Sequence, residues 1–220
     1  MASMAHRVAK GLVGGCALLL GVTVTGCGAP QYTYVANSSE STYFKVPNGW
    51  HKIGATALQH AMEEALGSSG AGWQVAYEAG TDPTANDFLS FGASQPFVFA
   101  EIGTLTSTAS QGLSYDSLRD FFLPVTSTAR QGEPPGFPLS GFKQIRDENL
   151  TPGLGVHGVR ETFDYTLNGG PTDTFDEIVL TNAEQTVVYF IVLHCIQSCY
   201  TSDQTAINDV MSSFTIRSSS

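Results

Sequence analysis

The sequence predicts an α+β domain: a mainly antiparallel central sheet with helices on both faces. Three observations carry that expectation. Residues 155–167, 175–182 and 186–195 are strand-like runs joined by stretches short enough for hairpins. Within the last, residues 187–193 are an unbroken apolar run of β-branched and aromatic residues, which suits a central strand covered on both sides. Two stripes at helical spacing, Leu58, Met62 and Leu66, then Ile207, Val210, Met211 and Phe214, supply covers.

In chain order, residues 42–46 read as a short strand closed by Val46-Pro47-Asn48-Gly49. There proline fixes one φ, and asparagine and glycine tolerate positive φ. Thr56 with Gln59 makes a capping-box pattern for a helix over 55–66, which Gly67 can end. Residues 73–79 and 88–92 read as strands around the turn Thr81-Asp82-Pro83-Thr84, and Pro96 precedes another strand at 97–105. Ser114 can cap a helix carrying Leu118, Phe121 and Phe122 that Pro124 ends. Residues 131–141, with Pro134, Pro135 and Pro138, read as a loop. Residues 168–173 and Asn182-Ala183-Glu184 are hairpin turns, Thr201 with Gln204 is a second capping box, and residues 214–216 return to the sheet edge.

The N-terminus has an export layout. Residues 1–10 carry Arg7 and Lys10 and no acid, and residues 11–25 are almost wholly apolar or small. A membrane span needs about 20 apolar residues, and this run is shorter and stopped by Gly28, Ala29 and Pro30. Val24-Thr25-Gly26-Cys27 resembles the lipobox of bacterial lipoproteins. The resemblance implies that residues 1–26 are a signal peptide and that Cys27, acylated with diacylglyceryl, becomes the mature N-terminus. One acyl chain binds membranes only marginally, so two or more on one cysteine would make the anchor durable. An ordinary secretory signal with an incidental Cys27 is the alternative. Residues 27–41, small and polar, are expected to be a tether, and residues 42–220 a single domain.

Removing residues 1–26 leaves 194 of the 220 residues, enough for one substantial core. It also removes two of the ten basic residues and none of the 20 acidic ones, for a net charge of −12. That charge argues against nucleic acid as a partner. With Cys27 lipidated, Cys195 and Cys199 remain as an even pair in an oxidising compartment. A disulfide needs Cα atoms within about 7 Å, while four extended residues span roughly 13 Å, so the chain must turn through Ile196, Gln197 and Ser198. Such a small loop contributes only about 2 kcal/mol. A metal site on His194, Cys195 and Cys199 is the rival, but its spacing is not C-x-x-C.

After residue 41 the chain resembles a known family, the PsbP-like fold as used by actinobacterial lipoproteins of the LpqN type. The matching stretches are the lipobox and polar segment, YFKVPNGW, DPTANDF before a strand, GFPLSGF before the antiparallel run, and VVYFIVLHC followed by TAINDVMSSFTI. The resemblance implies an αβα sandwich and a non-enzymatic role in binding or assembly. The Cys195/Cys199 pair departs from what the family leads one to expect.

Catalytic signatures are missing from the sequence. Gly92-Ala93-Ser94-Gln95-Pro96 lacks the second glycine of a nucleophile elbow, and no H-E-x-x-H, Walker A or G-x-G-x-x-G occurs. His51, His60, His157 and His194 are scattered over different elements, with His60 expected on an exposed helix face and His194 in the core. His157 and Glu161 fall on one side of a strand. Asp173, Asp176 and Glu177 are a candidate calcium cluster, with a solvated hairpin tip as the favoured reading. Trp50, Tyr77, Phe88, Phe91, Phe97 and Phe99 are expected in the core, or a few of them in a groove.

The sequence therefore predicts an exported protein anchored by lipid on Cys27 at the outer face of a bacterial cytoplasmic membrane. It is expected to bind an envelope or secreted protein partner, or otherwise a small apolar ligand, with hydrolysis a third option. No cofactor and no metal are expected.

Overall fold

The strands form where the pattern alternates or stays apolar throughout, and the covers form where it turns helical. The computed structural model describes residues 31–66, 72–85, 87 and 90–217. The signal segment, Cys27, Gly67 and Phe88 lie outside the described residues.

A seven-stranded sheet, antiparallel throughout, is built from β3 (His51–Lys52), β4 (Gly72–Glu78), β5 (Phe97–Thr104), β6 (Leu139–Gly153), β7 (Val156–Leu167), β8 (Thr172–Thr181) and β9 (Val187–Ile196). Its order is β3-β4-β5-β9-β8-β7-β6, which puts β9, the apolar run, at the centre. The β7–β8 turn uses Asn168 and Gly169 at φ 49° and 72°, successive positive values that match the twist of the strands they join. In the β8–β9 turn the Asn182 Oδ1 accepts from the Thr186 and Val187 amides at 2.8 and 3.0 Å.

Alternation divides the core in two. On β9, Tyr189, Ile191, Leu193 and Cys195 enter one core, and Val188, Phe190 and Val192 the other. The first core is closed by α6 (Gln204–Ser213), through Ile207, Val210 and Met211, and by a small second sheet. That sheet has the order β1-β2-β10, with β1 at Tyr32–Asn37, β2 at Thr42–Pro47 and β10 at Thr215–Ile216. The second core is closed by α1 (Ala55–Leu66), through Leu58, Ala61 and Met62, and by Leu118 and Val125. Leu118 belongs to α3 (Tyr115–Arg119), while α2 (Ser107–Gln111) and α4 (Ser127–Gly132) are single turns beside it. Helices on both faces of an antiparallel sheet are what the sequence predicts.

Several expectations are corrected. Residues 27–41 are not all tether: Tyr32–Asn37 is strand β1, paired with β2 along its whole length. The alternation of YTYVAN buries Val35 and Asn37 and leaves Tyr34 outside, so one apolar side chain and a capping amide suffice to seat it. Residues 90–92 are turn rather than strand. Helix α1 starts at Ala55, one residue before Thr56, so Thr56 is not its cap. Thr201 is no cap either: it lies inside α5 (Gln197–Ser202) and its hydroxyl donates to the Gln197 carbonyl at 2.8 Å. The Ser114 cap does form, as a capping box with Ser117, but α3 ends at Arg119, leaving Phe121 and Phe122 beyond it. The loop over 131–141 yields at Leu139 to the longest strand, β6.

The acidic residues of β8 are not a solvated tip. Asp173, Asp176 and Glu177 are all fully buried. Strand alternation sends Asp176 to the first core and Asp173 and Glu177 to the second, so they do not converge on a cation.

Candidate functional site

The site with the clearest shape lies over the second core, where β6 and β7 meet the segment from α3 to the start of β6. Asp120 builds its roof: its carboxylate accepts from the Val125 and Thr126 amides at 2.8 and 2.7 Å and from the Thr126 hydroxyl at 2.6 Å. This turn brings the Pro124 carbonyl over Tyr165, whose hydroxyl donates to it. Burial raises the Tyr165 phenol to about 12, which keeps that donor protonated.

Beside Tyr165 stands Phe142, ring centroids 5.3 Å apart, with the Arg130 guanidinium 4.0 Å above the Phe142 ring. The Arg130 Nε donates to the Val125 carbonyl at 3.1 Å, so that cation is held rather than free. Gly141, at φ +67°, makes the bulge that turns Phe142 inward, and a Cβ there would sit 3.3 Å from the Thr166 hydroxyl. Together with Phe137, Leu139 and Glu133 these residues line an open cleft of about 390 Å³. The GFPLSGF stretch is thus the cleft wall.

Below the roof of α3, Glu161 on β7 and Glu177 on β8 are cross-strand partners, both fully buried. The Glu161 Oε1 accepts from the Gln144 amide at 3.1 Å and lies 3.8 Å from the Arg119 Nε. Arg119 spends its other donors on Asp147 at 2.9 Å and Asn149 at 2.8 Å, which ties α3 to the β6 edge. Neither carboxyl oxygen of Glu177 has a hydrogen-bond partner. Burial first, then the Asp147 charge, pushes Glu161 up to about 8 against the pull of Arg119. Burial and the neighbouring Glu161 push Glu177 well above the ordinary carboxyl range.

On the opposite face the buried acids Asp164 and Asp176 are paired. Arg160 forks onto Asp176 at 3.0 and 2.8 Å, and the Tyr200 hydroxyl donates to the same carboxylate at 2.9 Å. Asp164 accepts from Thr174 at 2.7 Å and Gln197 at 2.9 Å. A disulfide joins Cys195 to Cys199 with Cα atoms 6.0 Å apart, spanning the junction of β9 and α5. Both sulfurs are consumed by it, and among the described residues no group of histidine, cysteine, aspartate and glutamate could hold a metal ion.

The histidines are not brought together. His51 bonds the Gly80 carbonyl at 2.8 Å, and His60 is exposed on α1 beside Glu63. His194 is buried and stacked on Phe175 at 5.1 Å. His157 shares a small cleft with Ser114, but its Nδ1 is engaged by the Gly155 carbonyl and its Nε2 by Gln185, while the Ser114 hydroxyl caps α3. His157 and Glu161 do share a face of β7, yet Glu161 is covered by Gln144 and Arg119. Of the aromatic residues, Tyr77, Phe97 and Phe99 are core, and Trp50 and Phe91 pack against it.

No protein-family model matches the chain, and no curated protein matches it. Among solved structures, the solution structure of cyanobacterial PsbP (CyanoP) from Synechocystis is similar over 93% of this chain and 99% of that chain, with 18% identity and a TM-score of 0.51. The crystal structure of LpqN from Mycobacterium tuberculosis, described as involved in cell envelope biogenesis, is similar over 86% of this chain and 91% of that one, with 18% identity and a TM-score of 0.46. Likeness at such identity speaks for fold alone, and the fold of this chain is PsbP-like.

Proposed function

We propose that the chain is a cell-envelope lipoprotein, anchored through lipid on Cys27, whose PsbP-like domain binds an envelope or secreted protein without catalysis. The observation that carries this reading is the cleft of Phe137, Phe142 and Tyr165: preformed, aromatic, open to solvent, and rimmed by Arg130 and Glu133. Rigid aromatic walls with one fixed cation are the features of a pocket that takes a side chain or loop of a partner. Among the described residues no helix is long and apolar enough to cross a membrane.

The volume of the cleft also falls in the range that accepts small ligands, which makes a carrier of apolar molecules the second reading. An open cleft buries such a ligand poorly, so the protein partner is favoured.

Photo-crosslinking in cells tests the choice. A crosslinking residue in place of Phe137 in the anchored protein is expected to give a discrete protein adduct, and one in place of exposed Thr108 is expected to give none. No adduct from Phe137, with an apolar molecule retained by the protein in native mass spectrometry, would select the carrier reading.

A further inference from the structure

The small sheet has an outer face as well as the inner one that closes the first core. Val35, Phe44 and Val46 point inward and are buried. The alternate positions point outward: Tyr34 pairs with Lys45 and Ala36 with Tyr43 between β1 and β2, and Thr215 of β10 pairs with Tyr43. Tyr34 is 78% exposed, more than any other large apolar side chain among the described residues. The Lys45 ammonium sits 4.0 Å above the Tyr32 ring and the Arg217 guanidinium 4.9 Å above the Tyr43 ring. Tyr34, Tyr43, Lys45 and Arg217 surround one shallow hollow of about 90 Å³. In a chain with twice as many acidic as basic residues, this is a face of tyrosines and cations. The acid beside it, Asp209, is engaged by the Tyr32 hydroxyl.

Its place in the chain matters equally. Because β1 begins at Tyr32, only five residue steps separate this face from Cys27, about 18 Å of fully extended chain. A tether running to residue 41 would have allowed about 50 Å. A strand that starts so close to an acylated cysteine cannot be held far from the bilayer surface. Tyrosine rings settle at the level of lipid headgroups, and lysine and arginine are attracted to anionic lipid.

We propose that the outer face of the β1-β2-β10 sheet docks on anionic phospholipid headgroups, so that lipid and sheet together fix the orientation of the domain. The Phe142 cleft, on the other side of the seven-stranded sheet, is then turned away from the membrane towards a partner. The proximity argument rests on the lipidation of Cys27 proposed above.

The test uses the full-length protein expressed in a bacterium that lipidates exported cysteines, extracted and reconstituted on vesicles of phosphatidylcholine alone or mixed with phosphatidylglycerol. Flotation with neutral vesicles reports the anchor, and lactoperoxidase-catalysed iodination of Tyr34 reports docking. Iodination of Tyr34 is expected to slow about fivefold or more on the anionic vesicles, while Tyr115, on α3 across the sheet, changes less than about twofold. The double variant Lys45→Glu/Arg217→Glu is expected to lose the difference. Equal iodination of Tyr34 on both vesicles, with flotation intact, overturns docking and leaves the anchor standing. Flotation only with anionic vesicles, with Tyr34 protected, supports docking and removes the anchor, and failure to float with either overturns both.

Discussion

Glu177→Gln is expected to stabilise the protein at neutral pH and to flatten its stability above the ordinary glutamate range. Glu177 is fully buried without a hydrogen-bond partner, and its register partner Glu161 is buried beside it. The groups around the pair are Arg119, Asp116 and Asp120 from the α3 segment, Asp147 and Gln144 from β6, and Asp176 on the far side of β8. One cation among these carboxyls does not offset burial, so both acids are raised. The folded protein therefore binds protons that the unfolded chain releases, and stability is full below the ordinary glutamate range. It falls as pH rises towards the folded value, about 8 for Glu161. Each pH unit across that window costs about 1.4 kcal/mol per proton held. Glutamine keeps the shape of Glu177 without the ionisation, so the variant is expected to match the wild type near pH 4, to exceed it at pH 7.5, and to have a pH slope smaller by up to about 1.4 kcal/mol per pH unit between. Glu161→Gln gives a smaller gain, because Glu161 already has Gln144 and Arg119. Urea unfolding at a series of pH values decides this, and an unchanged slope for Glu177→Gln would contradict it.

Arg160→Met is expected to cost about 3–5 kcal/mol, the largest loss from any surface-reaching side chain discussed above. It strips the fork from Asp176, which is fully buried and would keep only the Tyr200 hydroxyl. The loss comes from the stranded charge rather than from the missing attraction. Hence Arg160→Met with Asp176→Leu should recover most of it, since an apolar pair of similar volume replaces a desolvated ion pair at little net cost. A double-mutant cycle measured by urea unfolding would show strong coupling. If Arg160→Met alone costs less than about 1 kcal/mol, the fork is not what holds Asp176 in the core.

The centre of the fold was legible in the sequence and its edges were not. Strands β5 and β9 and helices α1 and α6 announce themselves because their burial is complete enough to dictate residue type, as at Phe97, Ile191, Leu58 and Ile207. Strand β6 hides because it is a bulged edge. Its half-buried positions are Leu139, Phe142, Arg146 and Leu150, spaced three to four residues apart, and three register shifts against β7 take up the extra residues. A period of two thus reads as a period near four, while the exposed Lys143 and Glu148 between look like loop and guard the edge.

The site was half legible for related reasons. GFPLSGF stood out as a segment, yet nothing local says that Gly141 bulges and turns Phe142 against Tyr165. The Glu161 and Glu177 pair is invisible because burial of an acid is decided by its partners in register, and DTFDEIVL has the composition of an exposed hairpin until β9 and α3 cover it.

The partner reading and the membrane-facing sheet share one premise, the chemistry of Cys27. The mass of the N-terminal peptide of the mature protein, taken from the membrane fraction, tests it most directly. The expected peptide begins at Cys27 and carries diacylglyceryl on its sulfur, and Cys27→Ala is expected to release the protein from membranes. A mature chain that starts elsewhere, or an unmodified Cys27 in a protein still held by the membrane, would contradict it.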